Sequence, residues 1–232
     1  MKALIVGYEI MFAGPHDISS IPETAVRAVS DLLQTEGHDV GVGRLAYLFN
    51  SEMQKRLGRI AGTRAETPLS TVAQNVLDSL ELELPSMIQR IVETVSAPML
   101  INFSPVPGTA EFLQAMEESR VMLGLVCNSP LGIPPEQMKI QIEASGMGGY
   151  FNDMQFSSEN GMVRPHARPF RYSLSNMDVA PGEAAVLTGL PGEMEILNRL
   201  CFGGVFVPEQ PGVEWKNAPT AVRALSEMSR YV

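Results

Sequence analysis

The stretch Val121 to Pro130, VMLGLVCNSP, constrains the fold of this chain most tightly. It is an apolar run of strand length that ends in small polar residues and a proline, with a helix-like segment on either side. An unbroken apolar run, as opposed to an alternating one, fits a strand buried on both faces of a parallel sheet. In such sheets the loop at the strand's carboxyl end faces the ligand crevice. Shorter runs of the same kind predict strands at Lys2 to Val6, Asp153 to Phe156, Ala185 to Thr188 and Gly204 to Val207. Helical periodicity fills the intervals at Gly108 to Glu118, Pro134 to Ser145, Ala167 to Met177 and Glu193 to Cys201, and Ala218 to Arg230 reads as a closing helix. Strands alternating with helices of this length predict an α/β fold, a Rossmann-type parallel sheet with right-handed crossovers.

The period changes between the first strand and the second. From Pro22 onward Ala25, Val26, Val29, Leu32 and Leu33 fall on one helical face, and Gly37 stops it. Three more helical stretches follow, at about Arg44 to Ile60, Pro68 to Leu80 and Pro85 to Val95. Residues 15–97 are therefore expected to form an inserted helical cap, and residues 1–14 with 98–232 the α/β core, with Ser96 to Thr109 as the return linker.

Charge narrows the class of partner. Seventeen Lys and Arg against 26 Asp and Glu leave a net charge of −9 with no basic block, which argues against nucleic acid or an anionic membrane surface. The two cysteines, Cys127 and Cys201, sit in apolar settings far apart, so no disulfide framework is expected and a reducing cytoplasm is the expected compartment. The opening MKALIVGYEIMF lacks a small-residue cleavage site and reads as the first strand; no apolar segment reaches membrane-spanning length.

Four strand ends supply the candidate chemistry: Gly7-Tyr8-Glu9, Cys127-Asn128-Ser129, the loop Gly161 to His166, and Gly189 to Glu195. Their order and wording resemble the haloacid dehalogenase-like (HAD) superfamily of hydrolases, in the form with a helical cap after the first strand. PGTAEFLQAME is similar to the family's Pro-Gly helix, VCNS to its second motif, GMGGYFNDMQFSSENGMVRPHARPFRYSL to the third, and AAVLTGLPGEMEI to the fourth. The resemblance implies a catalytic Asp-x-Asp after the first strand, and the chain carries Gly7 and Glu9 there. Glycine has no side chain to form an aspartyl intermediate. Cys127 stands in place of the second motif's Ser or Thr, Arg164 in place of the third motif's Lys, and Leu190 in place of the magnesium-holding Asp, with Glu195 as the later acidic residue. Glu195 or Glu193 could reach inward, but a longer side chain on the following turn does not by itself restore the geometry, so the absence of close carboxylates at 7 and 190 predicts no tightly held magnesium and no other cofactor.

The residues expected around the pocket are thus Gly7, Tyr8, Glu9, His16, Cys127, Asn128, Ser129, Arg164, Leu190 and Glu195. Glu9 is the one candidate acid or base, though it is more simply a solvated turn residue or an ion-pair partner of Arg164, which needs no substrate. Cys127 at a strand end is more simply a small hydrophobe than a nucleophile. His16 lies at the mouth of the expected pocket. Three functions follow: a pseudoenzyme that binds a small molecule or a protein, a divergent enzyme doing non-covalent chemistry with Glu9 and Arg164, or a HAD hydrolase with weak residual phosphatase or dehalogenase activity. The resemblance also implies a homodimer formed through the cap.

Overall fold

The computed structural model describes residues 1–14, 19–101, 103–209, 215 and 220–231. The chain opens with β1 (Ala3–Gly7), the single helical turn α1 (Tyr8–Met11) and β2 (Phe12–Ala13). Four helices follow: α2 (Glu23–Thr35), α3 (Val42–Thr63), α4 (Leu69–Ser79) and α5 (Pro85–Leu100). The chain returns through β3 (Ser104–Pro105), which pairs antiparallel with β2, and then alternates: α6 (Thr109–Glu118), β4 (Met122–Cys127), α7 (Pro135–Ala144), β5 (Asp153–Phe156). It continues through the short α8 (Ser157–Asn160), α9 (Ala167–Asn176), β6 (Ala184–Leu187), α10 (Met194–Leu200), β7 (Gly204–Pro208) and β8 (Thr220–Val222), ending in a 3-10 helix at Leu225–Arg230.

Six strands form one parallel sheet in the order β5-β4-β1-β6-β7-β8. After β1 the chain builds outward on one side through β4 and β5, then crosses to the other side for β6, β7 and β8. The switch point is therefore the carboxyl end of β1, where the crevice of an open parallel sheet forms. All five residues of β1 are buried, which is why ALIVG shows no polar alternation. Its side chains serve two cores: Leu4 and Val6 share one with Phe112, Leu113 and Met116 of α6, and Ala3 and Ile5 share the other with Phe170 and Leu174 of α9 and Leu197 of α10. Gly124 in β4 allows α9 to lie close, because a Cβ there would sit against Ser173 Oγ and 3.2 Å from Met177 Cε.

The inserted helices bury one face each. Ala25, Val26, Val29 and Leu33 of α2, and Leu45, Phe49 and Met53 of α3, follow helical spacing and are fully or almost fully buried. A side chain such as Leu33, at 0% exposure, contributes about 1.5–3 kcal/mol relative to leaving it in water.

Several expectations are corrected. The polar turn expected at Tyr8 and Glu9 is a helical turn that hands the chain to the β2–β3 pair, which the sequence did not announce. Helix α5 continues to Leu100 through Pro98, so the expected return linker from Ser96 begins later. The closing helix expected over Ala218 to Arg230 is a strand followed by a 3-10 helix. Val222, Leu225 and Met228 recur every three residues, a spacing that suits a 3-10 turn as well as an α-helix, and the open edge of β7 takes Thr220–Val222 as a parallel neighbour. His16 and residues 210–214 and 216–219 lie outside the described residues. Among the described residues no helix is long and apolar enough to cross a membrane.

Candidate functional site

The register Gly7↔Val126 between β1 and β4, with Val6↔Leu187 between β1 and β6, brings three strand ends together. The loop carrying Arg164 is fixed over them by Asn128, whose Oδ1 accepts a hydrogen bond from the Arg164 backbone N–H at 2.7 Å. From there the Arg164 side chain reaches back beneath the strand ends, where its exposure is 1%.

Every N–H of that guanidinium is engaged. Nε donates to Glu193 Oε1 at 2.6 Å and Nη2 to Glu193 Oε2 at 2.7 Å, a two-pronged pair. Nη1 donates to Glu9 Oε2 at 2.8 Å and to the Val126 carbonyl at 3.1 Å. The remaining Nη2 hydrogen lies between Glu9 Oε1 and Thr188 Oγ1, both at 3.3 Å. Thr188 Oγ1 donates to Glu193 Oε2 at 2.5 Å and accepts from Leu190 N at 3.0 Å, and Gly189 N donates to Glu9 Oε1 at 3.1 Å.

Gly7 is where this arrangement is tightest. A Cβ on Gly7 would press into Glu9 Oε1 and lie 2.8 Å from Glu9 Cδ and 2.9 Å from Arg164 Nη2. The carboxylate of residue 9 and the guanidinium of residue 164 therefore fill the space that a side chain at position 7 would need.

The electrostatics follow from this packing. Burial alone would raise the Glu9 pKa, but the charge of Arg164 and the hydrogen bonds from Arg164 and Gly189 hold it below its usual 4.5. Burial pulls the Arg164 pKa down, and Glu193 and Glu9 together more than reverse that, so the guanidinium is permanently charged. Burial pushes the Cys127 thiol well above its ordinary range despite the nearby Arg164 charge, and it raises the Tyr8 phenol, with Cys127 adding to the effect. A neutral, buried thiol is a poor nucleophile.

Above the cluster lies a cavity of about 380 Å³ between α3 and the strand ends. Tyr8, Glu9, Asn128, Ser129, Arg164 and Leu190 line it. Gly7 and Cys127 do not: the first lies under Glu9 and the second is 2% exposed within the sheet. Glu195 is corrected outright, for its side chain is 81% exposed and pairs with Arg199 at 3.2 Å across one helical turn. The inward acid is Glu193, at 0% exposure. The Pro-Gly pair before it makes a 3-10 turn in which Glu193 N donates to Leu190 O at 3.0 Å, so the acid closing that tight turn points back to the strand end. That turn signal, read for direction, was available in the sequence.

A second buried ion pair went unforeseen. Arg56 of α3, 5% exposed, donates from Nε and Nη2 to Glu66 Oε1 and Oε2 at 2.8 and 3.0 Å. Ser157 Oγ donates to Glu66 Oε2 at 2.8 Å and accepts from Ser129 N at 2.8 Å, joining the α3–α4 loop to the ends of β4 and β5. Gly132, with φ +72°, lets the loop after β4 pass beneath this connection, since a Cβ there would lie 2.6 Å from the Thr67 carbonyl.

No family model matches the sequence, and no curated protein matches it. Solved structures do match in fold. A dehalogenase captured as an intermediate complex superimposes with a TM-score of 0.61 at 14% identity, over 100% of this chain and 97% of that one. The chain has the HAD-superfamily fold. The same holds for a HAD phosphatase from Thermococcus onnurineus (TM-score 0.58, 16% identity, 100% and 97% covered) and L-2-haloacid dehalogenase from Xanthobacter autotrophicus (0.57, 15%, 99% and 97%). Helices α2–α5 occupy the insert that marks the capped form of the HAD fold.

The fold also implies magnesium, and the donor set does not fit it. The ion needs close, hard oxygens with free lone pairs. Here position 7 offers none, Leu190 offers only an aliphatic side chain, and the two acids at hand are turned onto a permanent cation. Among the described residues no three His, Cys, Asp or Glu cluster in a way that would hold a metal.

Proposed function

We propose that this protein is a pseudoenzyme of the HAD fold, a scaffold that binds a small molecule between cap and core without hydrolysing it. The observation that carries the reading is Arg164 held by Glu9 and Glu193 in the space above Gly7. A covalent mechanism needs a carboxylate at the end of β1 and room for an electrophile beside it. Both are replaced by an internally satisfied ion cluster. An acid–base role for Glu9 is disfavoured, because a carboxylate held ionised and hydrogen-bonded by Arg164 and Gly189 is a poor proton donor and a weakened base. We place the working division at residues 1–14 and 98–232 for the core and 15–97 for the cap, with α5 spanning the boundary, and the compartment as the cytoplasm.

The test is turnover. A panel of phosphomonoesters and 2-haloacids with added magnesium gives no product above a protein-free blank. Metal-dependent hydrolysis above that blank would overturn the proposal, whether or not Glu9→Gln abolishes it. Loss of a catalytic nucleophile lowers rate by several orders of magnitude even where binding groups remain, so the two outcomes are well separated.

A further inference from the structure

Strand β5 ends the sheet on one side: it pairs with β4, and among the described residues no strand lies against its other edge. A cleft of about 650 Å³ runs along that edge. Residues 151–155 all line it, together with Lys139 and Glu143 of α7 and Tyr172 and Asn176 of α9. Helices α7 and α9 belong to the two separate cores on opposite faces of the sheet, through Met138 and Ile142 on one side and Phe170 and Leu174 on the other. Successive side chains of a strand point to opposite faces, so a cleft touched by five consecutive residues and walled by a helix from each face opens on the strand's edge. Edges of this kind are ordinarily blunted by lysine or proline, and β5, Asp-Met-Gln-Phe, has neither. Its one charged residue, Asp153, is held by Gln155 and by Asn176 of α9.

Two further observations narrow the occupant. Asn160 also lines the cleft and is only 8% exposed. Its Oδ1 accepts from Met162 N at 3.0 Å, but its Nδ2 has no hydrogen-bond partner. An unmet buried donor costs about 1–3 kcal/mol, and the carbonyls of an added strand are acceptors of the kind it lacks. The second observation is charge. Glu143, Asp153 and Glu159 line the cleft against a single lysine, Lys139, whose Nζ sits 5.7 Å from the centre of the Phe156 ring. Glu143 and Glu159 are exposed, and the half-exposed ring of Tyr172 offers a cationic side chain a face to lie on. A second copy of this chain would set these acids against themselves, which disfavours self-pairing. We propose that the free edge of β5 binds an extended, basic segment of another protein, which joins the sheet as a strand beside β5 with its lysines or arginines at Glu143 and Glu159. This site is separate from the cavity over Glu9 and does not depend on how that cavity is used.

Isothermal titration of the full chain with a blocked seven-residue peptide of alternating valine and lysine tests it, beside two isomers N-methylated at every valine or at every lysine. Alternate amides of an extended peptide face opposite edges, and only one edge can bond to β5. Saturable one-to-one binding of the parent peptide is expected. One isomer should lose about tenfold or more, as the loss of two strand hydrogen bonds implies, while the other stays within about threefold. Glu143→Lys with Glu159→Lys should weaken the parent peptide about fivefold or more, whereas Asp31→Lys with Glu83→Lys, the same charge change on the cap, should leave it unchanged. Four results would overturn the proposal: no saturable binding, two isomers that behave alike, equal weakening by both charge variants, which would mean attraction to the acidic surface at large, or edge-to-edge dimers of the chain in sedimentation that the peptide does not dissociate. The isomers are compared on the unaltered protein, so that arm stands even if a variant fails to fold.

Discussion

Replacing Arg164 with methionine is the sharpest perturbation of this molecule, because it keeps an unbranched apolar stem and removes the one cation that two buried acids share. Glu193 has no exposure and Glu9 little, so neither can turn to water without opening the strand ends. Breaking a buried pair by deleting one partner costs about 3–5 kcal/mol. For a chain of this length each kcal/mol shifts the melting temperature by about 2–4 °C, so Arg164→Met should melt about 6–20 °C lower. The loss also carries a sign in pH. In the native protein Glu9 is held below 4.5, so its contribution is present above that value and fades as pH falls through the lower folded one. Without Arg164 the burial that raises the Glu9 pKa is opposed only by backbone hydrogen bonds such as that from Gly189, so the variant is penalised at neutral pH and relieved on acidification. Urea unfolding of both proteins at neutral pH and towards pH 4.5 should therefore show a stability gap that narrows as the pH falls. A gap under about 1 kcal/mol, the scale of an exposed ion pair, or one that does not change with pH, would refute the claim that the cluster is buried and mutually dependent.

Gly7→Ala should lose about 1–3 kcal/mol in the same assay, because its methyl must displace Glu9 or Arg164 from a filled space. Glu66→Ala leaves Arg56 buried without its partner and should cost about 3–5 kcal/mol, with limited proteolysis opening first in the α3–α4 loop as the link to Ser157 is lost. Native protein should react with a thiol reagent once, at the exposed Cys201, and twice after denaturation, since Cys127 is buried with a raised pKa; two rapid equivalents in the native state would contradict that environment. Gly7→Asp with Leu190→Asp should fail to bind magnesium in calorimetry, because Glu9 and Arg164 still fill the site; adding Glu9→Asp and Arg164→Lys shortens both intruding side chains and is the combination expected to admit the ion.

The parallel sheet was legible in the sequence because each central strand is buried on both faces and so writes a continuous apolar word, as β1 and β4 do. The cap helices were legible for the matching reason, since one buried stripe repeats with the helical period in α2 and α3. Edge elements were not: β8 and the β2–β3 pair are short, and what fixes them is hydrogen bonding to a neighbour already in place. The candidate site divides the same way. Sequence order placed Gly7, Glu9, Arg164 and Leu190 at strand ends, and simple charge made a Glu9–Arg164 pair an available reading. That Glu193 and not Glu195 turns inward depends on the 3-10 turn Pro191–Glu193, and Glu66 meets both Arg56 and Ser157 only because the cap folds back over β4 and β5.

Residue identity alone fixed that the end of β1 carries no carboxylate at position 7, since a glycine has none in any fold. Three-dimensional packing decided what fills the space above it: groups 155 and 29 positions from Arg164 converge on that guanidinium, because a buried guanidinium must find acceptors for all five hydrogens and the strand ends are where they stand.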